Sequence, residues 1–348
     1  MKAEVNNMEP QDFVNKILKD AVDRNASDVY WIPGHGTVDI RFRIDGQQSN
    51  IASVPRDYGT MCLTRIKVIA GLLTYRTHIA QDGVIRNLDG APNAELRVAV
   101  MPTNHGERIS VRIIRGSKGS ISLDELGFGQ KITAAMRDML RQPSGMIVLT
   151  GPTGSGKTTT IYAIVRELLS HHQDPASIIT IEDPIESEIP GISQVSVTQT
   201  HEWGYADALR SALRQDVKTI VVGEMRDKDV VNVTLDAALT GHRVITTYHA
   251  GDIPSVYARM LHQGFEPFLI ASAITGVITQ RLASTPGKTG RIPVVALLTP
   301  DDKWRNIISI NPGLEDLRKA IKDYPEADLD YVVDKMKADG QITPDTKI

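Results

Sequence analysis

Cysteine is almost absent from this 348-residue sequence: Cys62 stands alone. No intramolecular disulfide can form, and no cysteine-based zinc knuckle can be built. Aromatic residues make up only 5% of the chain, and no basic stretch is interleaved with them. A stacking platform for single-stranded nucleic acid is therefore not visible. A formal net charge of −3 gives no global attraction to nucleic acid or anionic lipid and leaves room only for a local basic groove. No apolar run reaches the roughly 18 residues of a membrane-spanning helix. The opening "MKAEVNNMEPQD" lacks the apolar core of a secretory signal, which points to the cytoplasm. His171 and His172 are adjacent, and His242 and His249 are seven apart. Neither pair has metal-ligand spacing with further ligands close by.

What remains is ordinary globular material. Hydrophobic residues at 41% and charged residues at 23% match soluble domains. The length suggests two or three of them with a core of normal size. In "QDFVNKILKDAVDR" (11–24), Phe13, Val14, Ile17, Leu18, Ala21 and Val22 share one helical face. Val38, Ile40, Phe42 and Ile44 alternate with Asp39, Arg41 and Arg43, which predicts a half-buried strand ending in the turn Asp45-Gly46. A helix fits 56–73. "ELRVAVM" (95–101) and "RISVRII" (108–114) alternate again, joined by the hairpin-like "PTNHGE". Residues 1–114 read as a small α+β domain, and the polar, Gly/Ser-rich 115–121 as a linker.

Beyond the linker, strands and helices take turns. Strands fit 145–150, 177–182, 192–197, 218–223 and 243–248; helices fit 130–142, 157–171, 203–214, 227–240, 253–263 and 267–283. This predicts an α/β domain over 122–284 with a mainly parallel sheet. "STPGKTG" (284–290) is a loop, followed by a strand at 292–299 and short charged helices, grouped as a C-terminal subdomain over 285–348.

"GPTGSGKTTT" (151–160) follows an apolar strand and opens a helix, the setting a phosphate-binding G-x-x-x-x-G-K-[ST] loop requires. Gly151, Gly154 and Gly156 let backbone N–H groups approach phosphate oxygens at a helix N-terminus. Lys157 reaches the β/γ-phosphates and Thr158 offers its hydroxyl to Mg²⁺. Thr153, Ser155 and Thr159 fill the rest of the nucleotide-binding stretch. "TIVVGEMRD" (219–227) is a second apolar strand ending in an acid, Glu224, which could polarise water or touch Mg²⁺. Gly223 stands where the common pattern has Asp, which weakens the metal-ligand role. "ITIEDPIESE" (179–188) runs from a strand into Glu182, Asp183, Glu186 and Glu188, broken by Pro184. Strand C-termini face the ligand crevice in such sheets, so Glu186, aimed by the proline turn, is the candidate general base. His249 ends one strand and His242 precedes it; each could sense phosphate or serve structure alone. Arg97 and Arg112 lie on the polar faces of their strands. By alternation they are solvated residues as readily as cations offered to a transition state.

In this order the motifs resemble the secretion ATPase superfamily: the type II secretion ATPases and the assembly and retraction ATPases of type IV pili. The likeness runs from about residue 26 to 300. "ASDVYWIP" resembles the start of the family's PAS-like N-terminal module, and "LRVAVMPTNHGERISVRII" its arginine-bearing strand pair. "GPTGSGKTTTIYA" looks like its Walker A, "TIEDPIE" its aspartate box, "LRSALRQDVKTIVVGEMRD" its Walker B region with the same Gly, and "LTGHRVITTYHA" its histidine box. "GFEPFLIASAITGVITQRL" is similar to the helices that follow.

The resemblance implies an ATP hydrolase with a RecA-like P-loop core, ATP and Mg²⁺ as cofactors, and a homohexameric ring. It implies nucleotide bound between the two domains of a subunit and a polytopic inner-membrane platform protein as partner, with the motor cytoplasmic at the inner face of that membrane. Lys157 and Thr158 take the phosphate and Mg²⁺ contacts, Glu186 the catalytic base, Glu224 the Walker B acid, His249 the γ-phosphate neighbour, and Arg97 and Arg112 the arginines offered to the nucleotide. The four-cysteine zinc insertion of type II secretion ATPases is replaced by "ASTPGKTGR", so no zinc is expected. By the same resemblance, their further N-terminal domain is not expected in this sequence. The compact length resembles retraction and competence-pilus ATPases, while "MPTNHGERISVRI" and "ITQRL" are more like the assembly and secretion branch. Assembly of a pilus or pseudopilus is the leading reading. Pilus retraction, a type IV secretion or conjugation ATPase, a nucleic-acid motor and a non-catalytic ATP-binding scaffold are the alternatives; no direct nucleic acid contact is expected.

Overall fold

Helix α1 (Pro10–Asp23) begins with proline in its first turn, where the missing N–H costs nothing. It buries the face of Phe13, Val14, Ile17, Leu18 and Ala21. Strands β1 (Asp28–Pro33), β2 (Thr37–Ile44) and β3 (Gln47–Pro55) form a meander, helix α2 (Arg56–Ile69) follows, and β4 (Gln81–Ile85), β5 (Ala94–Thr103) and β6 (Gly106–Arg115) complete the sheet. Its order is β3-β2-β1-β6-β5-β4, and every neighbouring pair is antiparallel. Val38, Ile40 and Phe42 face a core closed by α1 and α2, while Asp39, Arg41 and Arg43 face outward, as period-two alternation requires. The computed structural model describes residues 8–44, 46–85, 94–115, 121–171, 174–197, 203–286 and 290–346. Asp45 of the Asp-Gly turn and most of the 115–121 linker lie outside them.

The chain divides into two compact units, Met1–Lys118 and Gly119–Ile348. The second holds α3 (Gln130–Arg141), β7 (Gly145–Thr150), α4 (Lys157–Ser170), β8 (Ile178–Glu182), β9 (Ser193–Ser196), α5 (Tyr205–Ala212), β10 (Thr219–Val222), α6 (Lys228–Leu239) and β11 (Arg243–Tyr248). It continues through α7 (Ile253–His262), α8 (Pro267–Ala273), β12 (Ile274–Ser284), β13 (Arg291–Leu298), α9 (Asp302–Ser309), α10 (Leu314–Ala320) and α11 (Leu329–Ala338). Sheet order is β13-β12-β7-β11-β10-β8-β9, parallel throughout except for the β12–β13 pair. Strands β7, β8, β10 and β11 are buried on both faces and read as continuous apolar runs. This is the α/β, RecA-like P-loop core.

One element departs from the sequence reading. The helix expected over 267–283 stops at Ala273, and Ile274–Ser284 is strand β12. The stretch "ITGVITQRLAS" is rich in β-branched residues and buried on both faces, and an apolar run of that kind has no periodicity that separates strand from helix. The difference matters, because β12 lies beside β7 with Thr279 in register with Thr150. The segment after Ser284 continues the same sheet through β13. Trp304, fully buried, holds α9 to this unit by edge-on contacts with Tyr257 and Tyr324, both at 5.5 Å between centroids. Among the described residues, no helix is long and apolar enough to cross a membrane.

Candidate functional site

Parallel register brings the C-terminal ends of β7, β8, β10 and β11 to one edge of the sheet, and with them the phosphate loop, Glu182, Glu224 and His249. The loop begins at Gly151, whose φ of +147° is open only to glycine; a Cβ there would lie 2.3 Å from the Gln280 carbonyl oxygen. It ends at Gly156, the residue that caps α4, at φ +90° and pressed on the Gln280 amide, so a Cβ would meet Nε2 at 2.7 Å. β12 thus forms the wall against which the loop is folded. Gln280 itself is buried and accepts the Thr160 hydroxyl at 2.8 Å.

The donor set fits a polyphosphate. Ser155 is buried, and its Oγ has no hydrogen-bond partner. Lys157 donates from Nζ to the carbonyls of Gly151 and Pro152, each at 2.9 Å, so the amine lies along the loop. Burial and the charge of Arg281 hold the Lys157 pKa below its usual value, against the pull of Glu224, and an anion would relieve both costs. Thr158 follows in the first turn of α4, half-buried; Thr153, Gly154 and Thr159 are exposed. A Mg²⁺ brought in on the phosphates would find the hydroxyl of Thr158 in this first turn. For a metal held by protein alone, no cluster of three His, Cys, Asp or Glu exists among the described residues.

Glu224 sits one residue beyond Gly223 at the end of β10, its side chain 20% exposed. It accepts from Arg226 and approaches His249 Nε2 at 3.1 Å. Partial burial pushes its carboxyl up, but hydrogen bonds from Arg226 and His249 and their charges outweigh burial and hold it below the ordinary range. Arg226 also reaches Asp183 at 3.2 Å and lies over the ring of Tyr205. The departure at Gly223 has a steric cause. A Cβ there would stand 2.9 Å from Tyr205 Oη and 3.2 Å from the Ile181 carbonyl, so the aspartate of the common pattern has no room.

The turn after β11 is tied down from three sides. Ala250 exchanges hydrogen bonds with the Thr150 hydroxyl, donating at 3.1 Å and accepting at 2.7 Å. Arg259 donates to the His249 carbonyl at 2.6 Å, and Arg281 donates to that of Gly251. His249 is therefore fixed beside Glu224 with its ring in solvent. His242 lies at the opposite end of β11, where its backbone and ring meet the Ala237 carbonyl at the end of α6 and its carbonyl accepts from Gly145. That is the end of the sheet away from the phosphate loop.

The acids after β8 separate in depth. Glu182 is buried and accepts from Tyr162 at 2.6 Å, Thr180 at 2.5 Å and Gln194 at 3.2 Å. Tyr162 Oη in turn accepts the N–H groups of Glu186 and Ser187, both at 3.2 Å, which orders the turn. Glu186 itself is exposed. Tyr162, Tyr205, Arg226, Gln280 and Arg281 were not singled out from sequence. Only their positions inside "GPTGSGKTTTIYA", "GEMRD" and "ITQRL", and Tyr205 near "LRSALRQD", could have flagged them.

In the first unit Arg97 and Arg112 stand directly opposite each other on β5 and β6. Arg97 bonds Glu95 at 3.3 Å, and Arg112, 67% exposed, donates to buried Asp28 at 3.1 Å. Asp28 is also 3.9 Å from Arg43. The open face of this sheet is thus arginine-rich, with Tyr30 under the guanidiniums of Arg43 and Arg108.

Residues 4–323 match the family described as Type II/IV secretion system protein. The chain is 33% identical over 333 residues to the type II secretion system protein HxcR of Pseudomonas aeruginosa, covering 89% of this chain and 70% of that protein. It is 37% identical over 272 residues to the type IV pilus assembly ATPase PilB of Myxococcus xanthus, covering 78% of this chain but only 48% of PilB. The crystal structure of the pilus retraction motor PilT with bound ADP superposes with a TM-score of 0.71 at 27% identity, over 95% of this chain and 94% of PilT. This chain belongs to the type II/IV secretion system protein family and is one of its P-loop ATPases.

Proposed function

We propose that this chain is the homohexameric, Mg²⁺-dependent ATPase motor that drives assembly of a type IV pilus or a type II secretion pseudopilus. It works through a polytopic inner-membrane platform protein at the inner face of the cytoplasmic membrane. The observation that carries the reading is the grouping of Lys157, Glu224 and His249 at one end of the parallel sheet, in a chain 37% identical over 272 residues to a type IV pilus assembly ATPase. The phosphate loop N–H groups and Lys157 bind the triphosphate. Thr158 would hold a Mg²⁺ arriving with it, and that ion would neutralise phosphate charge. Glu224 orients the attacking water, with Glu186 as the base that accepts its proton, and ADP leaves with its bond to the γ-phosphoryl broken. His249 sits where it can register loss of that phosphoryl through Glu224. Arg97 and Arg112 supply the cations that stabilise transition-state charge, worth about 10³- to 10⁵-fold when supplied by an arginine.

Work follows only if ATP and ADP favour different arrangements of the protein, because a ligand shifts an equilibrium by no more than its differential affinity. The superposition on PilT favours retraction as the second reading. Surface fibres counted on a host lacking this gene, beside one carrying Lys157→Ala, decide between them. Loss of fibres or of secretion in both strains is the expected result. Excess fibres in both would assign retraction.

A further inference from the structure

Lys157 is not the only cation at the phosphate loop. Arg281 leaves β12 two residues after Thr279, which is in register with Thr150, so it arrives beside the first residue of the loop. Its Nη1 lies 3.1 Å from the point a Cβ on Gly151 would occupy. The guanidinium donates to two backbone carbonyls, Gln280 at 3.1 Å and Gly251 in the turn after His249. Among the described residues, neither Arg281 nor Lys157 has a carboxylate within ion-pair distance. Asp252 is the acid whose charge acts on Arg281, and its own carboxylate caps α7 through Ser255 N at 2.8 Å. Two cations therefore share a half-buried place in which backbone carbonyls are their hydrogen-bond acceptors and the acids Glu224 and Asp252 act only from beyond ion-pair distance; burial holds both pKa values down, and the charge of Arg281 adds to this for Lys157. The buried, unpartnered Ser155 hydroxyl points to the same place: Oγ is 2.8 Å from the same Gly151 Cβ position. Such a pair of charges beside an unmet hydroxyl suits a ligand carrying several negative charges.

We propose that Arg281 is a second phosphate-binding cation of the nucleotide site, acting with Lys157 on the phosphate tail of a nucleoside triphosphate. This rests on the ATPase reading above and adds a residue to it. The guanidinium needs only to exchange its bond to Gly251 for a phosphate oxygen. Until that exchange, the bond to Gly251 ties the guanidinium to the turn that carries His249; after it, that turn is released.

The test measures binding of ATP, ADP, AMP and inorganic tripolyphosphate to the full chain, its Arg281→Gln variant and its Arg281→Lys variant. A charge-assisted contact predicts about a tenfold to hundredfold loss for tripolyphosphate and ATP in Arg281→Gln, less for ADP and none for AMP. Arg281→Lys, which keeps the charge, recovers most of the loss and guards against a folding defect in the Gln variant. Equal affinity of wild type and Arg281→Gln for tripolyphosphate would overturn the assignment. So would an equal loss for all the probes, AMP included, because Arg281 would then only brace the Gly251 turn. Wild-type protein that binds tripolyphosphate and ATP no better than AMP would instead remove the nucleotide site itself.

Discussion

Gly223 offers the sharpest energetic test of the site's architecture. Its substitution by alanine places a Cβ 2.9 Å from Tyr205 Oη, 3.2 Å from the Ile181 carbonyl oxygen and 3.5 Å from Glu182 Cα. Tyr205 cannot yield freely: it is buried, and Arg226 lies over its ring. Overpacking of this kind costs about 1–3 kcal/mol. The closest atom is the tyrosine hydroxyl, so Tyr205→Phe should relieve more than half of the penalty, leaving the backbone contact at 3.2 Å. Stability is read by urea unfolding followed by tryptophan emission, in which Trp203 and Trp304 report this unit and Trp31 the other. The double-mutant cycle isolates the Gly223–Tyr205 term. Gly223→Ala within about 0.5 kcal/mol of wild type, the range of an inert surface change, would refute the steric account. So would strict additivity with Tyr205→Phe.

Three further outcomes follow from the same contacts. Because the folded carboxyl of Glu224 titrates below its ordinary value of 4.5, its bonds contribute stability that is complete above that pH and is lost as pH falls through the folded value. The advantage of wild type over Glu224→Gln should hold at pH 5 and fade only below 4.5; its disappearance above that pH would contradict the Arg226 and His249 pairing. Gln280→Ala removes the acceptor of the Thr160 hydroxyl and the wall behind Gly156, so urea unfolding should show a cost of about 1–3 kcal/mol with weaker ATP binding. Unchanged binding would mean that the loop does not depend on β12. Arg112→Ala should keep ATP affinity and lose most turnover in a phosphate-release assay; normal turnover would remove that arginine from the catalytic set.

The two folds were legible because their patterns are physical. Alternation of Val38, Ile40 and Phe42 with Asp39, Arg41 and Arg43 can be satisfied only by a strand with one dry face, and the G-x-x-x-x-G-K-T loop needs a strand before it and a helix after. β12 was illegible for the converse reason. A strand buried on both faces carries no alternation, so "ITGVITQRLAS" reads as part of the preceding helix. That one loss hid Gln280 and Arg281, whose importance comes from lying on the strand beside β7, where Thr279 is in register with the sequence-distant Thr150. The depth of the acids after β8 was hidden too. Sequence places Glu182 and Glu186 in one acidic stretch, but only the fold shows Tyr162 reaching across from α4 to bury the first and order the turn of the second.

Steady-state ATP hydrolysis by the purified full chain with Mg²⁺, compared with Lys157→Ala and Glu224→Gln, tests the central claim most directly. The account predicts turnover in wild type, loss of ATP binding in Lys157→Ala, and retained ATP binding without turnover in Glu224→Gln. Normal hydrolysis by Glu224→Gln, or by Lys157→Ala, would contradict it.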